Sequence, residues 1–190
     1  MVDDYSIAIN SGLNPWASEQ LCIRHLVRED LKALEWNGQY TQFRRLYKDI
    51  FHSTRDGRAI MWVVELQGIG VIGQLFVQLS STRHDLADGL NRAYIYAFRI
   101  QPPYRGFGVG SKLLHFSEND LLKRRFRWIT LNVGKDNSAA RRFYERNGYR
   151  ISGEEEGEWS FIDNFGLRQV VHEPSWRMEK DILQVGIVNN

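Results

Sequence analysis

The stretch YRGFGVGSKLL, Tyr104–Leu114, sets Gly106, Gly108 and Gly110 at alternate positions in front of a run with helical spacing. A glycine costs about 0.5–1 kcal/mol relative to alanine in regular structure, so this clustering needs a physical reason. The chemistry such a turn offers is anion binding. The first N–H groups of a helix lack internal acceptors and its dipole is positive there, so a phosphate can reach the bare main chain. Arg105 would add a charge-assisted contact. A tight strand-to-helix turn with no ligand uses the same residues, and the glycines alone leave both readings open. Two nucleotide motifs do not fit. The dinucleotide fingerprint requires G-x-G-x-x-G, whereas Gly110 is followed by Ser111 and no parallel βαβ half begins here; the phosphate loop requires Gly-Lys-Ser/Thr, and this chain reads GSK.

The elements that must position this turn follow from hydrophobic spacing. LCIRHL, Leu21–Leu26, alternates as a strand, and Cys22 within it reads as a small buried hydrophobe. Residues 28–36 suit a short helix begun by Glu29 and Asp30, and residues 40–51 continue in helical spacing through Phe43, Leu46, Tyr47 and Ile50. AIMWVVEL, 59–66, and GVIGQLFVQL, 70–79, form a hairpin across QGIG, followed by a polar loop over 80–91. AYIYAFRI, 93–100, is a strand that Pro102 and Pro103 terminate, because proline donates nothing to a ladder. A helix then runs to about Arg124, with Val109, Leu113, Leu114, Phe116 and Leu121 as its apolar side. WITLNV, 128–133, is a strand, and NSAARRFYERNG a compact helix capped by Asn137 or Ser138 and ended by Asn147-Gly148. The tail, 149–180, holds two or more strands broken at DNFG and EP. The pattern predicts an α+β fold, a mixed sheet of six or seven strands flanked by helices.

Arg105–Gly110, approached through RIQPPY, resembles the R/Q-x-x-G-x-G/A signature of the GCN5-related N-acetyltransferases. A second, independent likeness follows the next strand. The family carries N-x-x-A and a tyrosine in one helix, matched by Asn137, Ala140 and Tyr144, and ERNGY stands where the family often shows E+LGF. IRHLVREDL, 23–31, resembles the family's first strand and helix. The likeness covers about Leu21–Lys180 and is densest over Ala93–Tyr149.

The resemblance implies a mostly antiparallel sheet splayed between the strands ending near Ile100 and Val133, with acetyl-CoA as co-substrate in the gap. It implies cofactor contacts from the strand residues Phe98, Arg99 and Ile100, the pantetheine arm pairing with main chain as an added strand does. The pyrophosphate would rest on Gly106, Phe107, Gly108, Val109, Gly110 and Ser111, beside Arg105. Asn137 would contact the cofactor or cap the helix, or both. Tyr144 matches the family's general acid, a phenol protonated at neutral pH that can donate to the leaving sulfur, and the strand before Ile100 would supply an oxyanion donor at a bulge. Several family members place a glutamate where this chain has Asn132, and asparagine is no base. Glu65, Glu154–Glu156, Glu158 and His172 are the other base candidates; EEEGE also reads as a solvated acidic edge.

Composition bounds the remaining classes. With 190 residues, 43% hydrophobic and 13% aromatic, the chain can bury a sizeable core as a single domain over 1–190, its core 21–180 with short extensions. A net charge of +2 argues against nucleic acid as the main partner, and no uncharged run approaches the roughly 20 apolar residues that span a bilayer. One cysteine forms no internal disulfide, and MVDDYSIAI opens with acids, so a cytoplasmic setting is expected. The expected function is transfer of an acetyl group from acetyl-CoA to a primary amine, a small-molecule amine or peptide ahead of a protein lysine, with no metal and with homodimerisation open; an acyl-CoA-binding sensor without transfer is the alternative. Aromatic-rich segments at 36–51 and 159–176 are the candidate walls of the acceptor pocket, or core.

Overall fold

The computed structural model describes residues 21–183, and the acidic opening MVDDYSIAI lies outside them. Among the described residues, strands β1 (Leu21–His25), β2 (Ala59–Leu66), β3 (Gly70–Gln78), β4 (Arg92–Ile100), β5 (Trp128–Gly134), β6 (Arg150–Glu155) and β9 (Ser175–Asp181) form one sheet in the order β1-β2-β3-β4-β5-β9-β6. A separate hairpin pairs β7 (Glu158–Ile162) with β8 (Arg168–His172) across the DNFG turn. Every neighbouring pair in the large sheet is antiparallel except β4 with β5. The helices are α1 (Arg44–Arg55), α2 (Val109–Lys123) and α3 (Ser138–Arg146), with short 3-10 segments at Arg28–Glu35, Thr41–Phe43 and Pro102–Tyr104.

Alternation along the strands sends residues to two cores. Trp62, Val64, Leu75, Val77, Ile95, Ile129 and Leu131 pack beneath Val109, Leu113, Leu114 and Leu121 of α2 and beside Tyr144 and Tyr149. On the opposite face Met61, Val63 and Phe76 pack beneath Leu34 and the α1 residues Tyr47 and Ile50. Two expectations need correction. Cys22 lies on an edge strand and is exposed, because the same alternation that turns Leu21 and Ile23 toward the core turns Cys22 away. Phe116 is 40% exposed, leaning on the Trp62 ring at 5.0 Å from the rim of α2 rather than entering the core.

The parallel pair is short. β4 matches β5 only from Arg92↔Trp128 to Ile95↔Leu131, and beyond those four pairs the strands continue to Ile100 and Gly134 without pairing each other. At that point the β3–β4 register slips from Phe76↔Tyr96 to Gln74↔Arg99. The extra residue is a bulge with Ala97 at φ 49°, a left-handed conformation costing an L-residue about 1–2 kcal/mol.

A buried polar triad fixes α2 to the far side of the opening. Tyr149 Oη donates to Glu118 Oε1 at 2.9 Å and Lys180 Nζ donates to Glu118 Oε2 at 2.8 Å. All three side chains are buried, so the pair stands only while both charges face each other. Glu118→Gln leaves the Lys180 charge uncompensated. We expect it to cost about 3 kcal/mol of unfolding free energy in urea titrations, with Leu122→Met at the edge of the same helix costing under about 1.5 kcal/mol.

Candidate active site

The turn that opens α2 hangs on the end of β4. Arg105 Nε donates to the Ile100 carbonyl at 2.7 Å, drawing the chain back after the Pro102–Tyr104 turn. Gly106 at φ 84° and Gly108 at φ 78° are both left-handed, and Gly108 is the N-cap of α2. No protein atom lies within 4 Å of where a Cβ would stand at either one. Backbone conformation, not crowding, requires glycine there, and both glycines are exposed. Gly110 serves packing instead: a Cβ there would sit 3.5 Å from the Phe143 ring and 3.7 Å from Ile100, so α2 begins against both α3 and β4. Val109 is buried as the anchor, Phe107 packs partly buried on the same core, and Ser111 is half-buried in the first turn.

The opening and the tyrosine are brought together. Phe98, just past the bulge, meets the Phe143 ring at 5.7 Å and the Tyr144 ring at 6.3 Å. Tyr144 is buried, packed also on Tyr149 at 5.5 Å, and burial pushes its phenol well above the ordinary tyrosine pKa. Asn137 is the N-cap of α3, its side-chain oxygen accepting from Ala140 N at 3.1 Å, which leaves the amide NH2 as a donor. Arg99 parts from its neighbours. Its side chain crosses to the other face of the sheet, donating to Tyr47 Oη at 2.9 Å and lying over the Tyr40 ring at 4.1 Å, so only its main chain stays at the β4 edge.

Most of the acidic candidates are paired with cations. Glu65 accepts from Arg24, Glu154 from Lys135, and Glu158 lies 3.2 Å from His172. Glu155 is part of a network in which Arg83 joins Asp85 and Glu155 while Arg177 joins the same two acids; Arg83, then Arg177, holds its carboxyl below the usual range. Asn132 lies on the same face of β5, opposite Arg177, its buried Oδ1 without a hydrogen-bond partner. On that face Tyr94 and Tyr96 stack at 5.9 Å, and burial raises the Tyr94 phenol to about 12, with Glu155 and Glu173 adding to the rise.

Glu173, at the β8–β9 corner, is the acid that sequence reading passed over. A Cβ on Gly134, the last residue of β5, would stand 2.9 Å from Glu173 Oε1 and 2.8 Å from Asp136 Oδ1. Neither acid enters an ion pair among the described residues, and both are exposed. Only tertiary folding brings EP beside the end of β5; the sole local hint is a glycine closing WITLNVG. A separate cleft of about 830 Å³, lined by Trp36, Gln39, Val71 and Gln101, contains no residue of β5, α2 or α3 and is not this opening. Among the described residues no cluster of three or more histidines, cysteines or acids could hold a metal ion, and no helix is long and apolar enough to cross a membrane.

A mostly antiparallel sheet that opens between β4 and β5, flanked by helices, defines the fold, and solved structures share that fold. A spermidine/spermine N-acetyltransferase from Vibrio cholerae superposes with a TM-score of 0.67 at 20% identity, covering 90% of this chain and 98% of its own. The ribosomal-protein-S18-alanine N-acetyltransferase of Escherichia coli gives 0.63 at 20%, covering 85% and 94%. In sequence, the chain is similar to a 5-NmdU N-acetyltransferase of Pseudomonas phage PaMx11, 38% identical over 63 residues that span 33% of this chain and 43% of that protein. It is also similar to an uncharacterized N-acetyltransferase of Bacillus subtilis (strain 168), 24% identical over 130 residues, 67% of this chain and 80% of that one. Residues 24–149 match the profile of the Acetyltransferase (GNAT) family, and the chain belongs to that family.

The placement of Glu173 depends on Gly157. Gly157 is left-handed at φ 74°, its carbonyl accepts from Glu173 N at 3.0 Å, and a Cβ on it would fall 1.7 Å from the Glu173 carbonyl oxygen. Gly157→Ala must therefore push the β8–β9 corner away. It is expected to cost about 2 kcal/mol or more in urea unfolding, whereas Gly153→Ala, which meets no atom within 4 Å, should stay within about 0.5 kcal/mol of the parent.

Proposed function

We propose that this protein transfers the acetyl group of acetyl-CoA to a primary amine by direct attack within a ternary complex. The observation that carries the reading is the abrupt end of the β4–β5 ladder after Ile95↔Leu131, at a bulge whose Ala97 and Phe98 have no register partner on β3. Main-chain groups left over at such a point can pair with an extended ligand as an added strand does. The N–H groups that open α2, from Gly106 to Ser111, are suited to the pyrophosphate, with the remaining guanidinium donors of Arg105 beside them. Phe98, Arg99 and Ile100 would contribute main chain to the pantetheine arm, and the Asn137 amide stands ready at the start of α3.

Acetyl-CoA supplies a thioester carbonyl as the electrophile. The amine nitrogen bonds to that carbon while the carbon–sulfur bond breaks. A backbone N–H at the bulge faces the charge developing on the carbonyl oxygen, Tyr144 gives its proton to the departing sulfur and regains one from water after the thiol leaves, and the amine's surplus proton leaves toward solvent. Asn132 cannot take it, Glu65, Glu154 and Glu155 are paired with arginine or lysine, and Glu158 faces His172. Glu173 and Asp136 at the end of β5 are the acids we assign to collect it, directly or through water. An acyl-CoA sensor without transfer has one feature in its favour, asparagine rather than a carboxylate at position 132; the buried Tyr144 beside the bulge favours the enzyme.

Two variants separate binding from chemistry. Tyr144→Phe is expected to lower kcat about a hundredfold in a thiol-release assay with little change in acetyl-CoA affinity, and turnover equal to the parent's with chemistry rate-limiting would remove the acid role. Gly108→Val and Gly110→Val are expected to raise the calorimetric Kd for acetyl-CoA about tenfold, the first through left-handed strain and the second through Phe143, while Ser111→Ala changes it little.

A further inference from the structure

The face of the sheet opposite α2 carries a cation without an anion. Arg99 is half-buried on β4, two residues beyond the bulge residue Ala97. Its guanidinium is held in place by aromatic rings, 4.1 Å from the Tyr40 centroid and 5.5 Å from that of Phe43, and by one bond from Nη1 to Tyr47 Oη at 2.9 Å. A guanidinium has five N–H donors, and this bond uses one. Arg99 enters no ion pair among the described residues, although arginines 24, 44, 58, 83, 92, 124, 127, 141 and 177 all do. Its register partner on β3, Gln74, is wholly buried, and its side-chain amide lies beside the Tyr47 hydroxyl that Arg99 also reaches. Polar groups away from water are nearly always bonded, so the unused donors of a held, half-buried guanidinium beside this buried amide mark a place prepared for a polar partner.

We propose that Arg99, with Gln74 and Tyr47, forms a subsite for an anionic group of the acceptor, so that the preferred acceptor is an amine carrying a carboxylate or a phosphate on the same molecule. The inference rests on the acetyl-transfer reading for the amine end of that molecule. A guanidinium suits either anion, since its planar fork donates two parallel bonds to carboxylate or phosphate oxygens. The rings fix the fork before binding, which reduces the ordering cost. The same charge disfavours a polyamine, whose second cation would meet Arg99 with no acid beside it. Glu154 and Glu155 are neutralised by Lys135, Arg83 and Arg177, and the unpaired Glu173 and Asp136 stand at the end of β5, where they serve the reacting amine rather than a second cation beside Arg99.

The test measures binding and turnover side by side. Amines are titrated calorimetrically into protein saturated with coenzyme A, which allows no transfer, and then assayed by thiol release with acetyl-CoA. Phenylalanine is compared with phenylalaninamide for the carboxylate, O-phosphoethanolamine with ethanolamine for the phosphate, and spermidine stands as the polycation. In at least one pair the anionic amine should bind, and show kcat/KM, about tenfold or more above its neutral partner, and the pair that does so identifies the anion. Arg99→Gln should bring that ratio to about two or less through KM rather than kcat, and Arg99→Lys should keep part of it. Equal binding within both pairs, a ratio that survives Arg99→Gln, or spermidine outdoing every anionic amine would overturn the subsite. Thiol release from neutral amines alone would overturn it while leaving acetyl transfer standing. Anion-selective binding lost in Arg99→Gln, without release from any amine, would support the subsite and remove acetyl transfer. Thermal unfolding of each variant shows that the fold is retained, and Tyr47→Phe, which keeps the ring and removes the acceptor of the Nη1 bond, should lower the ratio if Arg99→Gln proves unstable.

Discussion

The structure depends on a ladder that stops. Parallel strands β4 and β5 share four residue pairs and then part, although each continues for several residues with its outer neighbour. Main-chain N–H and C=O groups are rarely left unpaired inside a protein, so an interior gap between two strands needs a cause and a use. The cause is the bulge at Ala97, where one surplus residue turns β4 away from β5. On the α2 side of the gap stand Phe98, Phe143 and Tyr144, and at its mouth lies a helix start whose glycines keep the main chain bare. Regular β4 geometry would close the gap and separate these parts.

The bulge also decides which residues face which side. Without it, alternation from Ile95 would place Ala97 and Arg99 with the α2 core and send Phe98 to the opposite face. The surplus residue reverses this. Phe98 joins Ile95 in the α2 core, and Arg99 passes through to Tyr47 and Tyr40 on the other side. One strand thus supplies an apolar contact to the buried tyrosine and a cation to the opposite face within two consecutive residues. The β7–β8 hairpin closes that second face, with Phe161 4.7 Å and Trp159 6.3 Å from the ring of Phe43, joining the two aromatic-rich segments of the sequence.

What was legible in the sequence is what local physics determines. The hairpin over 59–79, the proline stop after Ile100, the start of α2 and the Asn137 cap follow from periodicity, proline chemistry and side-chain hydrogen bonding within a few residues. The chain reads as a strand from 93 to 100 but gives no sign that Ala97 is left-handed, since alanine carries no such preference. Arg99 therefore reads as one more residue beside Phe98 and Ile100, and its side-chain direction appears only with the bulge. Cys22 misled because flanking apolar residues suggest burial, whereas an edge strand buries one face only. Glu173 was invisible for a further reason: its neighbour Gly134 is distant in sequence, and the contact exists only because Gly157 lets two corners meet.

Burial of Tyr144 carries a tension in the proposed chemistry. A phenol whose pKa is raised by desolvation is a weaker acid than free tyrosine, and a thiol such as cysteine's ionises near 8.5 in water, so proton transfer to a hydrated thiolate would run uphill. Desolvation acts on both partners. A thiolate leaving into the same apolar pocket, walled by Phe98 and Phe143, loses hydration as well, and its proton affinity rises alongside that of the phenol. A neutral O–H is then the group best suited to meet a sulfur that is gaining charge, and a phenol with a raised pKa stays neutral through the alkaline range where amines become nucleophilic. In the proposed chemistry, the pocket that makes Tyr144 a poor acid toward water would also keep it protonated beside a poorly hydrated leaving group.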